Sequence, residues 1–233
     1  GKYVMFMDND DFYFPEMCST LLKNIKISNA DISSCSYLTC NDKGYITHNV
    51  HNNRIIVYDN EKAMNAFLLR QELDIYVWTK MYRRDFLVMN EISFEEGKSD
   101  EDFLFNFQAF SYARKVVFQD IALYKYVIRS DSESRIISQT KIIKYLEDTL
   151  YRIRKIEDSV FTNYPQLLPL AKRQSILYSY IMIGAIIRNH SKFIIKYPYY
   201  KSIMNYLHRN KRQVVKEHKY WGMSYLGSIL SVV

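Results

Sequence analysis

Two groups of acidic residues have the spacing that could do chemistry. The first is Asp8-Asn9-Asp10-Asp11, which directly follows an apolar run at residues 3–7. A short run of β-prone residues predicts a buried strand, and open α/β sheets bind their ligands at strand ends. Crowded carboxylates repel one another unless a cation or protons intervene, and a divalent metal bound to phosphate is a usual partner of clustered aspartates. The first group therefore suggests a metal-phosphate site at the exit of a strand.

Other interpretations of the first group stay open. Asp and Asn residues after a strand often form turns or helix caps, and Pro15 at a predicted helix start is compatible with capping by Asp11 or its neighbours. An EF-hand loop is excluded, because its sixth position requires Gly and holds Tyr13 here. A phosphohydrolase with Asp8 as nucleophile and Asp10 as general acid is also compatible with the spacing.

The second group is Asp100-Glu101-Asp102, at the start of a predicted helix. Acidic residues in a first helical turn are ordinary partners of the helix dipole. A carboxylate that acts as a general base must instead lie free and close to the hydroxyl that it deprotonates. Glu101 or Asp102 would meet that need if the helix began beside the first group.

The elements that must position both groups follow from hydrophobic periodicity. In chain order the pattern predicts a strand at residues 1–7, a helix at 15–27, a hairpin at 30–48, a helix after a cap at Asp59, a short helix at 84–87, a helix from about 103 with buried phenylalanines, and two short strands within 115–129. Beyond about residue 138 the helical period dominates, with further helices near 166–189 and 199–217. The plan is mixed α/β, followed by all-α.

Composition narrows the class of protein. The chain has 233 residues, 48% of them hydrophobic, which suffices for one large domain or for a domain with an appendage. Only 6 glycines leave little material for a Gly-rich phosphate loop, whereas 21 tyrosines suit carbohydrate rings as well as cores. Cys18, Cys35 and Cys40 have neither a metal-ligand spacing nor an even count, so we expect three small core residues and a reducing compartment. No signal peptide opens the chain, and no apolar run approaches the roughly 20 residues of a membrane span.

Charge is distributed unevenly along the chain. Residues 1–130 contain 15 Lys and Arg against 18 Asp and Glu, whereas residues 131–233 contain 17 against 7, a net charge of +10. A basic amphipathic helical region could face an anionic lipid surface, or it could simply be solvated. An apolar and aromatic segment at residues 221–230 follows the most basic stretch, a pattern suited to an interfacial anchor. No nucleic-acid-reading motif accompanies the basic residues.

Four segments resemble motifs of inverting family 2 glycosyltransferases, in the family's order and at its spacing. Residues 1–15, GKYVMFMDNDDFYFP, resemble the stretch with the family's Asp-x-Asp pair, and residues 77–84, VWTKMYRR, resemble its V-W-N-K-L-Y-R-R segment. Residues 94–102 resemble its F-x-E-G-x and Glu-Asp elements, and residues 124–138 resemble its Y-x-Y-x-x-R-x-x-S-x-S region. The resemblance covers about residues 1–138.

The resemblance implies a fold and an activity. The fold is α/β, with a partial GT-A (Rossmann-like) nucleotide-diphospho-sugar transferase domain at residues 1–137 and a basic α-helical region at residues 138–233. The activity is metal-assisted transfer of a sugar, with inversion, from a nucleotide-diphosphate donor to a saccharide or lipid-linked acceptor in bacterial surface polysaccharide synthesis. The implied location is the cytoplasm, with the basic helical tail against the inner face of the plasma membrane.

The resemblance also implies roles for individual acidic residues. Asp8 and Asp10 would hold Mn²⁺ or Mg²⁺ on the donor diphosphate, and Asp11 would assist them or cap the next helix. Asp102 would be the catalytic base, with Glu101 beside it.

Four further residues are expected to contact the donor or the acceptor. Trp78 would stack on the acceptor sugar, with a buried core position as the alternative. Lys80, Arg129 and Arg135 are candidates for polar contacts to donor or acceptor.

Two departures from the family pattern affect these expectations. The family's N-terminal half, which has a P-x-Y-N loop and a D-D-G-S type turn and binds the nucleotide base, is missing, so we expect the back half of a longer enzyme that is inactive alone. Thr79 stands where Asn is common.

The phosphohydrolase alternative is weakened because Phe12 stands where that class needs Thr or Val. A non-catalytic module that binds a membrane or a partner is the third interpretation.

Overall fold

The computed structural model describes residues 1–41, 51–128, 139–190 and 198–216. The chain divides into two compact units, Gly1–Arg135 and Ile136–Val233. Each unit is described by itself below.

The described part of the first unit contains six strands, four α-helices and a 3-10 helix at Val77–Thr79. The strands are β1 (Tyr3–Met5), β2 (Phe12–Tyr13), β3 (Ile32–Asn41), β4 (Ile55–Asp59), β5 (Lys80–Arg83) and β6 (Lys115–Ile128). The helices are α1 (Met17–Ser28), α2 (Asn60–Leu69), α3 (Arg84–Met89) and α4 (Glu101–Tyr112). The sheet order is β1-β5-β3-β6-β2, with β4 paired to β6 outside this path. Among these strands β3 and β6 pair in parallel and the other pairs are antiparallel.

Most of the predicted elements are present at the predicted places. Helix α1 buries Met17, Leu21 and Ile25 on one stripe, as its periodicity requires. Helix α2 begins after Asp59, whose side chain accepts a hydrogen bond from the Lys62 backbone amide at 2.9 Å, as the predicted cap does. Helix α4 buries the predicted apolar positions, which are Phe103, Phe105, Phe107, Ala109 and Phe110. The second strand of the predicted hairpin falls within residues 42–50, outside the described residues.

The prediction of two short strands at residues 115–129 was wrong, since β6 is one strand of 14 residues. Its register with β3 shifts on both sides of Ser36, where the polar residue Asp120 interrupts the apolar pattern. The Asp120 backbone amide donates to the Arg54 carbonyl at 2.8 Å, and its carboxylate accepts from the His51 ring at 2.9 Å. Pairing therefore continues through the irregularity, because neighbouring segments satisfy the polar groups there.

The expectation of three core cysteines holds for two of them. Cys35 and Cys40 are buried, and Cys18 is exposed. Cys18 directly follows Met17 on α1, so it lies beside the buried stripe of that helix and not on it.

The second unit is helical in its described part, as predicted. It contains α5 (Gln139–Asn163), α6 (Leu168–His190) and α7 (Pro198–Lys216). These helices share one apolar cluster formed by Ile142, Leu146, Ile176, Ile183, Ile203 and Leu207. None of the helices in the described ranges is both long and apolar enough to cross a membrane.

Candidate active site

The loop after β1 is held in place by two tyrosines. The Tyr13 hydroxyl donates to the Phe6 carbonyl at 2.6 Å, and the Asp8 backbone amide donates to the Tyr124 hydroxyl oxygen at 3.2 Å. The Asp11 amide closes a turn by donating to the Asp8 carbonyl at 3.3 Å. The first acidic group therefore lies on an anchored turn at the exit of the strand.

Asp11 is the structural member of this group. Its side chain is 4% exposed and accepts from the Tyr124 hydroxyl at 2.7 Å and from the Val127 amide at 2.8 Å. Helix α1 instead begins after Glu16, which makes no side-chain capping bond. Capping of the next helix, one of the two roles expected of Asp11, is wrong, because its carboxylate ties the loop to β6.

Asp8 lies in a field of negative charge. Partial desolvation raises the pKa of its carboxyl above the usual 3.8, and the charges of Asp11, Asp10 and Glu101 raise that pKa further. Glu101 belongs to the second acidic group, so the fold brings the two groups together. Crowding of this kind favours a bound cation or a shared proton.

An aromatic cluster explains why the second group lies beside the first. Phe6, at the exit of β1, contacts Phe94 and Phe105 edge-on, with ring centroids 5.1 and 5.4 Å apart. Phe94 in turn stacks on Phe105 at 4.5 Å. Phe105 lies one helical turn beyond Asp102 in α4, so this packing fixes the start of α4 at the strand exit.

Asp102 has the electrostatic character of a general base. Burial raises the pKa of its carboxyl from 3.8 to about 6, against the opposing effects of the Val77 amide and the Lys80 charge. The negative charges of Asp8 and Glu101 contribute to the rise. The Val77 amide donates to Asp102 Oδ2 at 3.4 Å. A carboxylate with a pKa near neutrality can accept a proton from a positioned hydroxyl.

Lys80 holds the segment at residues 74–79, which includes a 3-10 helix at Val77–Thr79. Its side chain is fully buried, and its Nζ donates to the carbonyls of Asp74 at 2.8 Å and Tyr76 at 2.5 Å and to Thr79 Oγ1 at 3.2 Å. Burial lowers the pKa of this ammonium group to about 8. These contacts replace the expected polar contact of Lys80 with a donor or acceptor.

Trp78 occupies the core position that was the alternative to acceptor stacking. It is 2% exposed, and its ring stacks on Tyr124 at 4.2 Å and on Tyr76 at 4.5 Å. Because tyrosine rings contact the indole in this way, direct stacking of Trp78 on a sugar does not fit the structure. Trp78 instead packs between the ring of Tyr76 and the ring of Tyr124 on β6.

Two residues of the site were not predicted. Asn106 is fully buried in α4, where it accepts from the Tyr82 hydroxyl at 2.7 Å and donates to the carbonyls of Ile75 at 2.5 Å and Asp102 at 3.1 Å. A lone Asn inside the apolar run of α4 was the available signal. Tyr124 was noticed only as part of a motif, although it anchors the first acidic group.

Arg129 and Arg135 lie outside the described residues, so their expected contacts stay predictions. Among the described residues, no group of three or more His, Cys, Asp or Glu side chains is arranged to hold a metal ion.

Comparison with known proteins shows that part of the chain is similar to a known family. Residues 1–88 match the family model described as glycosyl transferase family 2. The match includes the first acidic group and the segment with Trp78 and Lys80, and it ends before Asp102.

Curated relatives extend the similarity beyond this match. The chain is 24% identical over 203 residues to the "Uncharacterized glycosyltransferase YibD" of Escherichia coli (strain K12), covering 84% of this chain and 59% of the relative. It is 30% identical over 143 residues to "Glycosyltransferase GlyA" of Streptococcus pneumoniae serotype 4, covering 58% of this chain and 20% of the relative. The chain therefore spans between a fifth and three fifths of the length of these two relatives.

A solved structure shares the fold. S. aureus TarS 1-349, crystallised in complex with UDP-GlcNAc, superposes with a TM-score of 0.51 at 15% identity, covering 91% of this chain and 68% of that chain. The predicted mixed α/β, GT-A-like fold with helices in its C-terminal part is thus confirmed.

Proposed function

We propose that the complete protein is an inverting glycosyltransferase that moves a sugar from a nucleotide-diphosphate donor to a saccharide or lipid-linked acceptor. The observation that supports this most directly is Asp102, a carboxyl with a pKa of about 6 beside the acidic exit of β1. The family match of residues 1–88 agrees with it. A nucleotide-sugar donor is also in keeping with the UDP-GlcNAc bound to TarS, which shares the fold.

Asp102 would act as the general base. Its carboxylate takes the proton of the acceptor hydroxyl while that oxygen attacks the anomeric carbon of the donor. The bond between the anomeric carbon and the diphosphate breaks on the opposite face, so the configuration inverts and the nucleoside diphosphate leaves with the bonding electrons. Above about pH 6 Asp102 is ionised and able to accept the proton.

The residues of the first acidic group fit a divalent cation on the donor. Mg²⁺ is usually held by one or two carboxylates together with substrate phosphates, and Asp8 and Asp10 would supply those carboxylates. Desolvation and then the charges of neighbouring carboxylates raise the pKa of Asp8, and a positive charge would relieve the repulsion among those carboxylates. Bound Mn²⁺ or Mg²⁺ would offset the negative charge that develops on the leaving diphosphate. Asp11, already held by two hydrogen bonds to β6, would keep the loop in position.

The proposal includes a role in bacterial surface polysaccharide synthesis at the cytoplasmic face of the plasma membrane. Helix α7 buries Ile203 and Leu207 and leaves Lys201 and Arg209 exposed, which suits contact with an anionic surface. Flotation with neutral and with anionic liposomes, at low and high salt, tests this part. Equal recovery with both lipid types, or no recovery, would contradict it.

The transferase proposal is tested by donor turnover in the complete protein. With Mn²⁺ and UDP-GlcNAc, followed by other nucleotide sugars, we expect release of the nucleoside diphosphate that increases when a saccharide acceptor is added. Asp10→Ala and Asp102→Ala should each abolish this release, and Asp85→Ala on α3 is the matched control that should retain it. Wild-type turnover in either site variant would remove that residue from its role. Release of inorganic phosphate from simple phosphate esters would instead indicate a phosphohydrolase.

A further inference from the structure

Three half-buried tyrosines gather around the buried Trp78. The rings of Tyr76 and Tyr126 are nearly parallel to the indole, at 4.5 Å with an 18° angle and at 5.6 Å with an 8° angle. Tyr37 meets Tyr76 edge-on at 5.5 Å and Trp78 edge-on at 4.9 Å. All three tyrosines retain partial exposure at the margin of the core.

Two of these tyrosines lie next in the strand or chain to residues that contact the acidic groups. Tyr76 directly precedes Val77, whose amide donates to the Asp102 carboxylate. Tyr126 lies two residues beyond Tyr124 on β6, so both side chains share one face of the strand. Tyr124 is bonded to the Asp11 carboxylate and to the Asp8 amide. Tyr76 and Tyr126 are thus neighbours of the residues that hold Asp102 and the loop after β1.

We propose that Tyr37, Tyr76 and Tyr126 form an aromatic platform that binds the sugar ring of a saccharide acceptor next to Asp102. The assignment rests on the proposed transferase function. Flat aromatic faces contact the C–H face of a pyranose ring. The substrate class that this surface selects is therefore a pyranoside, as opposed to an acyclic polyol phosphate.

The backbone that presents the platform is rigid. Lys80 donates to the Tyr76 carbonyl at 2.5 Å, and Asn106 donates to the Ile75 carbonyl at 2.5 Å. Both donors are fully buried. A preorganised surface of this kind loses little conformational freedom when a ligand binds.

The test uses saturation-transfer NMR on the complete protein with three probes, the methyl β-glycosides of glucose, galactose and N-acetylglucosamine. We expect transfer to the ring C–H protons of at least one pyranoside and none to glycerol phosphate. Tyr126→Leu and Tyr76→Leu should weaken binding of that pyranoside about tenfold, whereas Tyr126→Phe should bind as the wild type does. Tyr112→Leu, at a position 57% exposed on α4, is the matched control that should change nothing.

A second measurement uses the wild-type protein and needs no variant. In the wild-type protein the bound pyranoside should protect Tyr37, Tyr76 and Tyr126 from nitration, as read by mass spectrometry, and should leave Tyr112 unprotected. Absence of transfer to all three pyranosides, or equal protection of Tyr112, would overturn the platform.

Nucleoside-diphosphate release from the donor separates this proposal from the one on which it rests. If nucleoside diphosphate is released but no pyranoside binds, the transferase proposal stands and the aromatic platform is refuted. Pyranoside binding to these tyrosines without release from any nucleotide sugar would refute the transferase and leave a sugar-binding surface.

Discussion

Asp102→Asn should stabilise the protein at neutral pH, because the fold holds this carboxylate in an unfavourable place. A carboxyl with its pKa raised from 3.8 to about 6 favours its neutral form in the folded state. At a pH where the carboxyl is ionised in both the folded and the unfolded protein, this pKa difference lowers the unfolding free energy by roughly 3 kcal/mol. Since Asp102 is only partly buried, we expect a gain of about 1–3 kcal/mol. The amide oxygen of Asn can still accept from the Val77 amide, so the local structure is retained.

The sign of the pH dependence follows from the same shift. Below about pH 4 Asp102 is protonated in both the folded and the unfolded state, so the variant and the wild type should differ little. As pH rises from about 4 to about 6 the unfolded carboxyl ionises first, and the wild type loses stability relative to the variant. Above about pH 7 the difference should be constant and at its largest.

The assay is denaturant unfolding of the wild type and of Asp102→Asn at intervals between pH 4 and pH 8. Asp120→Asn is a control with the opposite sign: although burial opposes the shift, the His51 ring and the Asn52 amide lower the pKa of Asp120, so its loss should destabilise the protein at neutral pH. A pH-independent difference for Asp102→Asn, or destabilisation at pH 7, would refute the electrostatic account of the site.

Three further predictions concern activity and the residues that position the site. The transfer rate should fall as pH decreases through about 6, because protonated Asp102 cannot accept a proton; a rate that is flat from pH 5 to pH 8 would exclude Asp102 as the base. Lys80→Met should lower the unfolding free energy by roughly 1–3 kcal/mol, because buried carbonyl oxygens lose their donor. It should also move the acid limb of the pH–rate profile to higher pH, because the Lys80 charge lowers the pKa of Asp102. Lys62→Met, on the exposed start of α2, is its control and should leave the limb in place. Tyr124→Phe should cost about 1–2 kcal/mol and raise the KM for the donor, since the Asp11 carboxylate loses a buried hydrogen bond; an unchanged KM would show that the loop does not need this anchor.

The sequence could predict those features that depend on local patterns. Three such features follow from the spacing of residues within a single helix, and all are present: the apolar stripe of α1, the Asp59 cap of α2 and the buried phenylalanines of α4. The two acidic groups were recognised for the same reason, because each is contiguous in sequence. Their proximity follows from packing of Phe6 against Phe105, which no local pattern encodes.

The wrong expectations concern residues whose surroundings come from distant parts of the chain. Trp78 and Lys80 belong to a segment that resembles a family motif, but their burial depends on β6 and α4. Asp11 was expected to cap the helix next to it, whereas its partners Tyr124 and Val127 lie more than 110 residues later. Sequence propensity reflects only interactions between residues that are near in the chain, whereas the contacts of Trp78, Lys80 and Asp11 are set by tertiary structure.

The three aspartates of the first group illustrate how the fold divides one motif into different tasks. Asp11 is buried and accepts two hydrogen bonds from β6, so its charge is compensated within the protein. Desolvation and then the charges of neighbouring carboxylates raise the pKa of the Asp8 carboxyl, so its ionisation is opposed. A cation would therefore gain more at Asp8 than at Asp11, although the two residues are almost adjacent in sequence. The structural role of Asp11 thus follows from its hydrogen bonds to β6, and it could not be read from the spacing of Asp8-Asn9-Asp10-Asp11 alone.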